Sequence, residues 1–78
     1  MKGRNADLSL DTRGQVCPGP RMVVREALLG MDRGQILEVL GTDPASLEGI
    51  AALVKGLGGE VLRAGPKGDR EWFLIIKR

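Results

Sequence analysis

The sequence predicts an α/β (α+β) two-layer sandwich in the order β-α-β-α-β-β, a four-stranded mixed sheet with two helices on one face. Three observations predict it. The hydrophobic period switches between that of a strand and that of a helix along the chain; proline and glycine punctuation separates the blocks; and 78 residues make one domain. Two strands that alternate with helices run parallel through right-handed crossovers, which sets both helices on the same face of the sheet.

The elements follow in order. Residues 1–7 are a polar lead, read as flexible, and Leu8-Ser9-Leu10-Asp11 then alternates as a half-buried strand does. A loop over residues 12–16 contains Gly14, available for an unusual backbone angle. From Cys17-Pro18-Gly19-Pro20 the period becomes helical, with Val24, Ala27, Leu28 and Met31 on one stripe and Gly34 as the stop. Proline is tolerated only in the first helical turn, so Pro18 is expected at the first helical position and Cys17 at the N-cap. Residues 36–40 are short and apolar between glycines, a strand buried in the sheet. Asp43-Pro44 then supplies a capping oxygen and a proline, opening a second helix whose stripe is Leu47, Ile50, Ala51, Val54 and Leu57, stopped at Gly58-Gly59. Residues 61–64 and 72–76 close the chain as a hairpin about a turn at residues 65–69.

Composition removes much chemistry. One cysteine cannot form an internal disulfide, and without histidine the usual zinc sets and the Ser-His and Cys-His nucleophile pairs are absent, so no metal and no cofactor is expected. A net charge of +2 and only one Trp and one Phe argue against direct nucleic-acid binding. No stretch approaches the roughly 18 apolar residues of a membrane span, and no signal-peptide pattern opens the chain, so a cytoplasmic protein is expected.

The bland reading of a lone cysteine is a small buried hydrophobe. The surroundings of Cys17 argue otherwise. A thiolate at a helix N-terminus meets the positive end of the helix dipole, and with Pro18 and Pro20 lacking donors the N–H of Gly19 is the one expected to face the sulfur. Gly19 also leaves room for a partner's reactive group, and Arg13 and Arg21 are expected to favour the anion. Because both parallel strands lead into helices at one sheet edge, Cys17 and Asp43 are expected to be neighbours there. With neither internal base nor second thiol, the chemistry that remains is thiolate exchange between partner proteins, such as persulfide transfer.

The run Leu10-Asp11 to Gly14 followed by Cys17-Pro18-Gly19-Pro20 resembles the signature of the TusA-type (SirA-like) sulfur-carrier family, with similarity extending from about Leu8 through Asp43-Pro44 to the β-rich end at Trp72. The resemblance implies a Cys17 that takes sulfane sulfur as a persulfide from a cysteine desulfurase or a rhodanese-like donor. It implies relay to a downstream carrier protein, for tRNA thiolation, molybdenum-cofactor enzymes or sulfur oxidation. Pro18, Gly19, Pro20 and Gly14 shape the motif. The variable motif position is often acidic in that family and is Gly19 here, which removes a charge that a partner contacts.

Beside this stand plainer readings. Asp43 either tunes Cys17, contacts a partner or simply caps its helix. Arg13, Arg21 and Arg25 form either a docking patch for an acidic partner or ordinary solvated surface. Both faces of the second and fourth strands read as apolar, Trp72, Leu74 and Ile76 opposite Phe73 and Ile75 and Ile36 and Leu40 opposite Leu37 and Val39, so the helix-free sheet face is expected to carry an apolar patch offered to a partner or to a second copy, or ordinary surface. The rival to a carrier is a non-catalytic regulatory module that docks a protein or RNA, and thiol redox or selenium handling would use the same cysteine.

Overall fold

The computed structural model describes residues 6–16 and 18–78; Cys17 and most of the polar lead lie outside the described residues. The order is β1 (Leu8–Asp11), α1 (Gly19–Leu29), β2 (Ile36–Gly41), α2 (Pro44–Gly56), β3 (Glu60–Lys67) and β4 (Glu71–Lys77). The strands lie side by side as β1-β2-β4-β3, with β1 parallel to β2 and the other two pairings antiparallel. This is the expected mixed sheet. Asp7, read as part of the lead, already joins it, because its N–H donates to the Ile36 carbonyl and its carboxylate accepts the Ile36 N–H.

One core lies between the sheet and both helices. Val24 and Leu28 of α1 and Ile50 and Val54 of α2 pack with Leu37 and Val39 of β2 and Trp72, Leu74 and Ile76 of β4. Each contributes roughly 1.5–3 kcal/mol of side-chain burial, set against chain entropy. Met31 and Leu57 pack against the rim of this core from beyond the helix ends. No helix among the described residues is long and apolar enough to cross a membrane.

Three boundaries differ from expectation. α1 begins at Gly19 with Pro18 as its N-cap, not at Pro18 with Cys17 as cap, so Pro20 is the proline inside the first turn. It ends at Leu29, not near Gly34, since Gly30 closes it by donating to the Ala27 carbonyl. β3 continues beyond residue 64 to Lys67, pairing Gly65 with Phe73 and Pro66 with Trp72. The turn is correspondingly tighter, with Gly68 at φ +74°. Proline is tolerated there because β3 is an edge strand and a missing N–H on its outer side breaks no ladder.

With Leu37, Val39, Trp72, Leu74 and Ile76 in the core, the apolar row on the face without helices is Ile36, Leu40, Phe73 and Ile75. Ile75 is only 6% exposed, and Ile36, Leu40 and Phe73 are half-buried. Among the described residues, the most exposed large hydrophobic side chains are instead Val16 at 71% and Met22 at 60%, which flank the start of α1.

Candidate functional site

Because β1 and β2 are parallel and β4 runs against them, one sheet edge collects the β1–α1 loop, the β2–α2 loop and the first residues of β4. The β1–α1 loop, which leads into Cys17, is tied down at every backbone donor from residue 12 to 15. Thr12 gives both its N–H (2.8 Å) and its Oγ1 hydroxyl (2.7 Å) to the Leu40 carbonyl. Arg13 N–H goes to Asp11 Oδ1, Gly14 N–H to Thr42 Oγ1 at 2.9 Å, and Gln15 N–H back to the Thr12 carbonyl. Gly14 adopts φ +86°, a conformation that side chains resist. A loop with its donors satisfied by protein is held without help from water.

The Gly14 contact with Thr42 brings this loop against the one that carries Asp43. The juxtaposition expected of Cys17 and Asp43 involves a residue outside the described ones. Asp43 itself is a helix cap, as read: Oδ1 accepts the Ala45 N–H and Oδ2 accepts the Ser46 hydroxyl at 2.9 Å. Ser46 is fully buried, and the Asp43 carbonyl accepts the Trp72 indole N–H at 3.0 Å.

At the start of α1 one expectation needs correction. The Gly19 N–H donates to the Val16 carbonyl at 2.9 Å, so it already has an acceptor in the backbone. A Cβ at Gly19 would stand 3.3 Å from the Gln15 side-chain oxygen, the far end of a flexible, exposed side chain. The two prolines divide their work: Pro20 is buried under the core, while Pro18 is exposed.

The arginines separate in the same way. Arg13 holds Asp11 through two side-chain bonds, Nε to Oδ1 at 2.8 Å and Nη2 to Oδ2 at 2.6 Å, and its Nη1 lies 3.5 Å from Glu71 Oε1. These bonds and the Arg13 N–H hold the Asp11 carboxyl at about 2, below its ordinary 3.8. The same carboxylate, with Glu71, pushes the guanidinium up. Arg13 is thus paired with two carboxylates. Arg21 lays its stem across α2, with Cδ 3.5 Å from where a Cβ of Gly49 would be, and Arg25 is exposed.

Thr12, Thr42, Glu71, Gly41 and Trp72 were not singled out from the sequence as site residues. A signal did exist for the first two: an adjacent Asp and Thr stand where each parallel strand gives way to its loop, Asp11-Thr12 at the end of β1 and Thr42-Asp43 after β2. A shallow groove of about 300 Å³ between α2 and β3, lined by Ala51, Val54, Lys55, Gly59, Glu60 and Val61, holds no thiol or hydroxyl and lies toward the other end of the sheet.

The family model for sulfurtransferase TusA matches residues 8–78. A Thermotoga maritima protein named "Putative sulfur carrier protein" is 46% identical over 88% of this chain and 87% of its own. The sulfur carrier protein TusA of Allochromatium vinosum is 37% identical over 91% of this chain and 93% of its own. In three dimensions, a SirA-like protein from Desulfitobacterium hafniense matches with a TM-score of 0.82 at 24% identity, covering 90% of this chain and 95% of that one, which establishes the common fold.

Proposed function

Since the chain belongs to the TusA family of sulfur carriers, we propose that it carries sulfur as a persulfide on Cys17, taken from one protein thiol and given to another. The observation that supports this reading most is the hydrogen-bonded loop of residues 12–15, which runs into Cys17 beside the exposed Val16 and Met22. A preorganised segment that leads to a nucleophile, with exposed apolar side chains at Val16 and Met22, suits repeated docking against partner proteins.

The chemistry balances without an added oxidant. The Cys17 thiolate attacks the terminal sulfur of a donor persulfide; a new S–S bond forms, the donor's S–S bond breaks, and the donor leaves as a thiolate. Handing on is the same exchange, with an acceptor thiolate attacking the outer sulfur held on Cys17. The chain has no histidine, so deprotonation falls to solvent or the partner. A cysteine desulfurase or rhodanese-like protein is the donor class, and a second carrier thiol is the acceptor class. The acceptor decides whether the sulfur ends in tRNA thiolation or another route. A reducing cytoplasm keeps such a thiol available.

Docking uses Val16 and Met22 with the neighbouring Arg21 and Arg25, which favours partners with an acidic rim around an apolar centre. Self-association through the open sheet face is dispensable in this reading, because its apolar row is buried or half-buried within one chain. Sedimentation is expected to return the monomer mass.

The test is intact-protein mass spectrometry of wild type and Cys17→Ser after incubation with a cysteine desulfurase and cysteine, or with thiosulfate and a rhodanese. A dithiothreitol-reversible gain of one sulfur atom that requires Cys17 is expected. No adduct from any donor, on a folded protein whose thiol resists alkylation, would return the chain to the class of binding modules.

A further inference from the structure

We infer that Glu71 and Asp11, acting through Arg13, position the segment that carries Cys17, and that Arg13 serves as their link and not as an electrostatic activator of the thiol. The inference rests on the carrier reading of Cys17 and adds positioning residues to it, one of them distant in sequence.

The Asp11–Arg13 pair by itself spans two positions along the chain, and β1 is a four-residue edge strand paired only with β2. That pair could move with the loop it belongs to. Glu71 changes this, because it opens β4, an inner strand paired on both sides. The Arg13 contact to Glu71 therefore crosses the end of β2 and fastens the loop to the middle of the sheet. Asp11 and Glu71 stand on the helix-free face, since their register partners Leu40 and Lys67 and the neighbouring Phe73 alternate away from the core residues Val39 and Trp72. The clasp thus grips the loop from one side of the sheet while Gly14 and Thr42 grip it from the edge.

Exposure tells what the clasp is for. The side chains of Arg13, Asp11 and Glu71 are 43%, 52% and 33% exposed, and ion pairs that open to water add little to global stability. Their value lies in direction: a guanidinium forked onto one carboxylate has a fixed orientation, which an ammonium cannot reproduce. The two carboxylates also offset its charge, so little of it remains to draw a proton from a nearby thiol.

Glu71→Gln, Arg13→Met, Arg13→Lys and the double variant Glu71→Gln/Arg13→Met decide the matter. The readouts are the rate of Cys17 loading by a cysteine desulfurase with cysteine, the pH midpoint of Cys17 alkylation by iodoacetamide, and amide exchange at Gly14 and Gln15. Loading is expected to fall about five- to tenfold in Glu71→Gln and Arg13→Met, with Arg13→Lys between these and wild type. The double variant is expected to be no worse than Arg13→Met, as for two parts of one device. The alkylation midpoint is expected to stay at the wild-type value while exchange at Gly14 and Gln15 quickens. Wild-type loading in Glu71→Gln overturns the inference, as does a raised midpoint in Arg13→Met alone, which would make Arg13 a direct electrostatic partner of the thiol. If wild type takes no sulfur, the carrier reading fails separately, and exchange still decides the clasp: quickened in Glu71→Gln it supports the positioning role, unchanged it overturns it.

Discussion

The indole of Trp72 fills the space where a side chain at Gly41 would begin: a Cβ there would stand 2.3 Å from Cζ2 and 2.5 Å from Cη2. The two residues face each other across the β2–β4 pairing, and the indole N–H reaches past Gly41 to the carbonyl of Asp43. A glycine in a central strand is ordinarily a weakness. Here it lets a large ring lie flat at the site edge and hold the start of α2.

Gly41→Ala is therefore expected to lower the unfolding free energy by about 1–3 kcal/mol, the usual range for overpacking. Urea denaturation followed by emission of Trp72, the chain's one tryptophan, measures it and also shows whether the indole has left its seat.

Asp43→Ala removes the acceptor for the Ala45 N–H and the Ser46 hydroxyl and is expected to cost about 1 kcal/mol. Asp43→Asn, whose side-chain oxygen still caps, is expected to lose much less. Equal losses in the two variants, measured by thermal unfolding, would mean that the negative charge and not the cap is what α2 needs.

The Asp11 carboxyl sets a pH window. Its value in the folded chain, about 2, lies below the ordinary 3.8, so its contribution is complete above about pH 4 and is lost as pH falls toward 2. Carbon-detected NMR titration of Asp11 is expected to show the low midpoint in wild type and a return toward 3.8 in Arg13→Met. Neutral-range pH changes leave this pair intact.

Arg78 donates from Nε to the Leu28 carbonyl at 2.7 Å and from Nη1 to the Leu57 carbonyl at 3.2 Å, while its backbone N–H meets the Gln35 carbonyl. One guanidinium thus serves the ends of both helices. Arg78→Met is expected to cost about 1.5–3 kcal/mol, as for hydrogen bonds to a charged group. Arg78→Lys is expected to recover only part of that, since one ammonium has no fork to span two carbonyls. Cys17 loading, corrected for the folded fraction, is expected to stay at the wild-type rate in both.

The strand and helix order was legible because each element carries its own period and its own stop, as in the Asp43-Pro44 start and the Gly58-Gly59 end. Boundaries were misread where two signals overlap. Met31 keeps the helical stripe past Leu29, so the period hides the stop at Gly30; Gly65-Pro66 looks like a turn, yet pairs as an edge strand. At the site, residue types could be read from the motif itself, but what each arginine does could not. Arg13 is explained by Glu71, and nothing local in the sequence relates residues so far apart. The Trp72 contact with Gly41 is hidden for the same reason, since a strand register must be known before the missing side chain has meaning.

The bond network of Arg78 also settles how the molecule is polarised. Both helices point their carbonyl ends at that guanidinium, with Lys55 in the last turn of α2 adding a second cation. At their opposite ends α2 is matched by the Asp43 carboxylate, while α1 has no acidic residue in its first turn. Of the four helix ends, the amino end of α1 alone has no opposite charge in its own turn, at its cap or hydrogen-bonded to its end among the described residues. A negatively charged group that approaches the side where α1 begins meets an attractive field. Orientation of such an approach is thus built into the backbone, and is expected to weaken as salt rises.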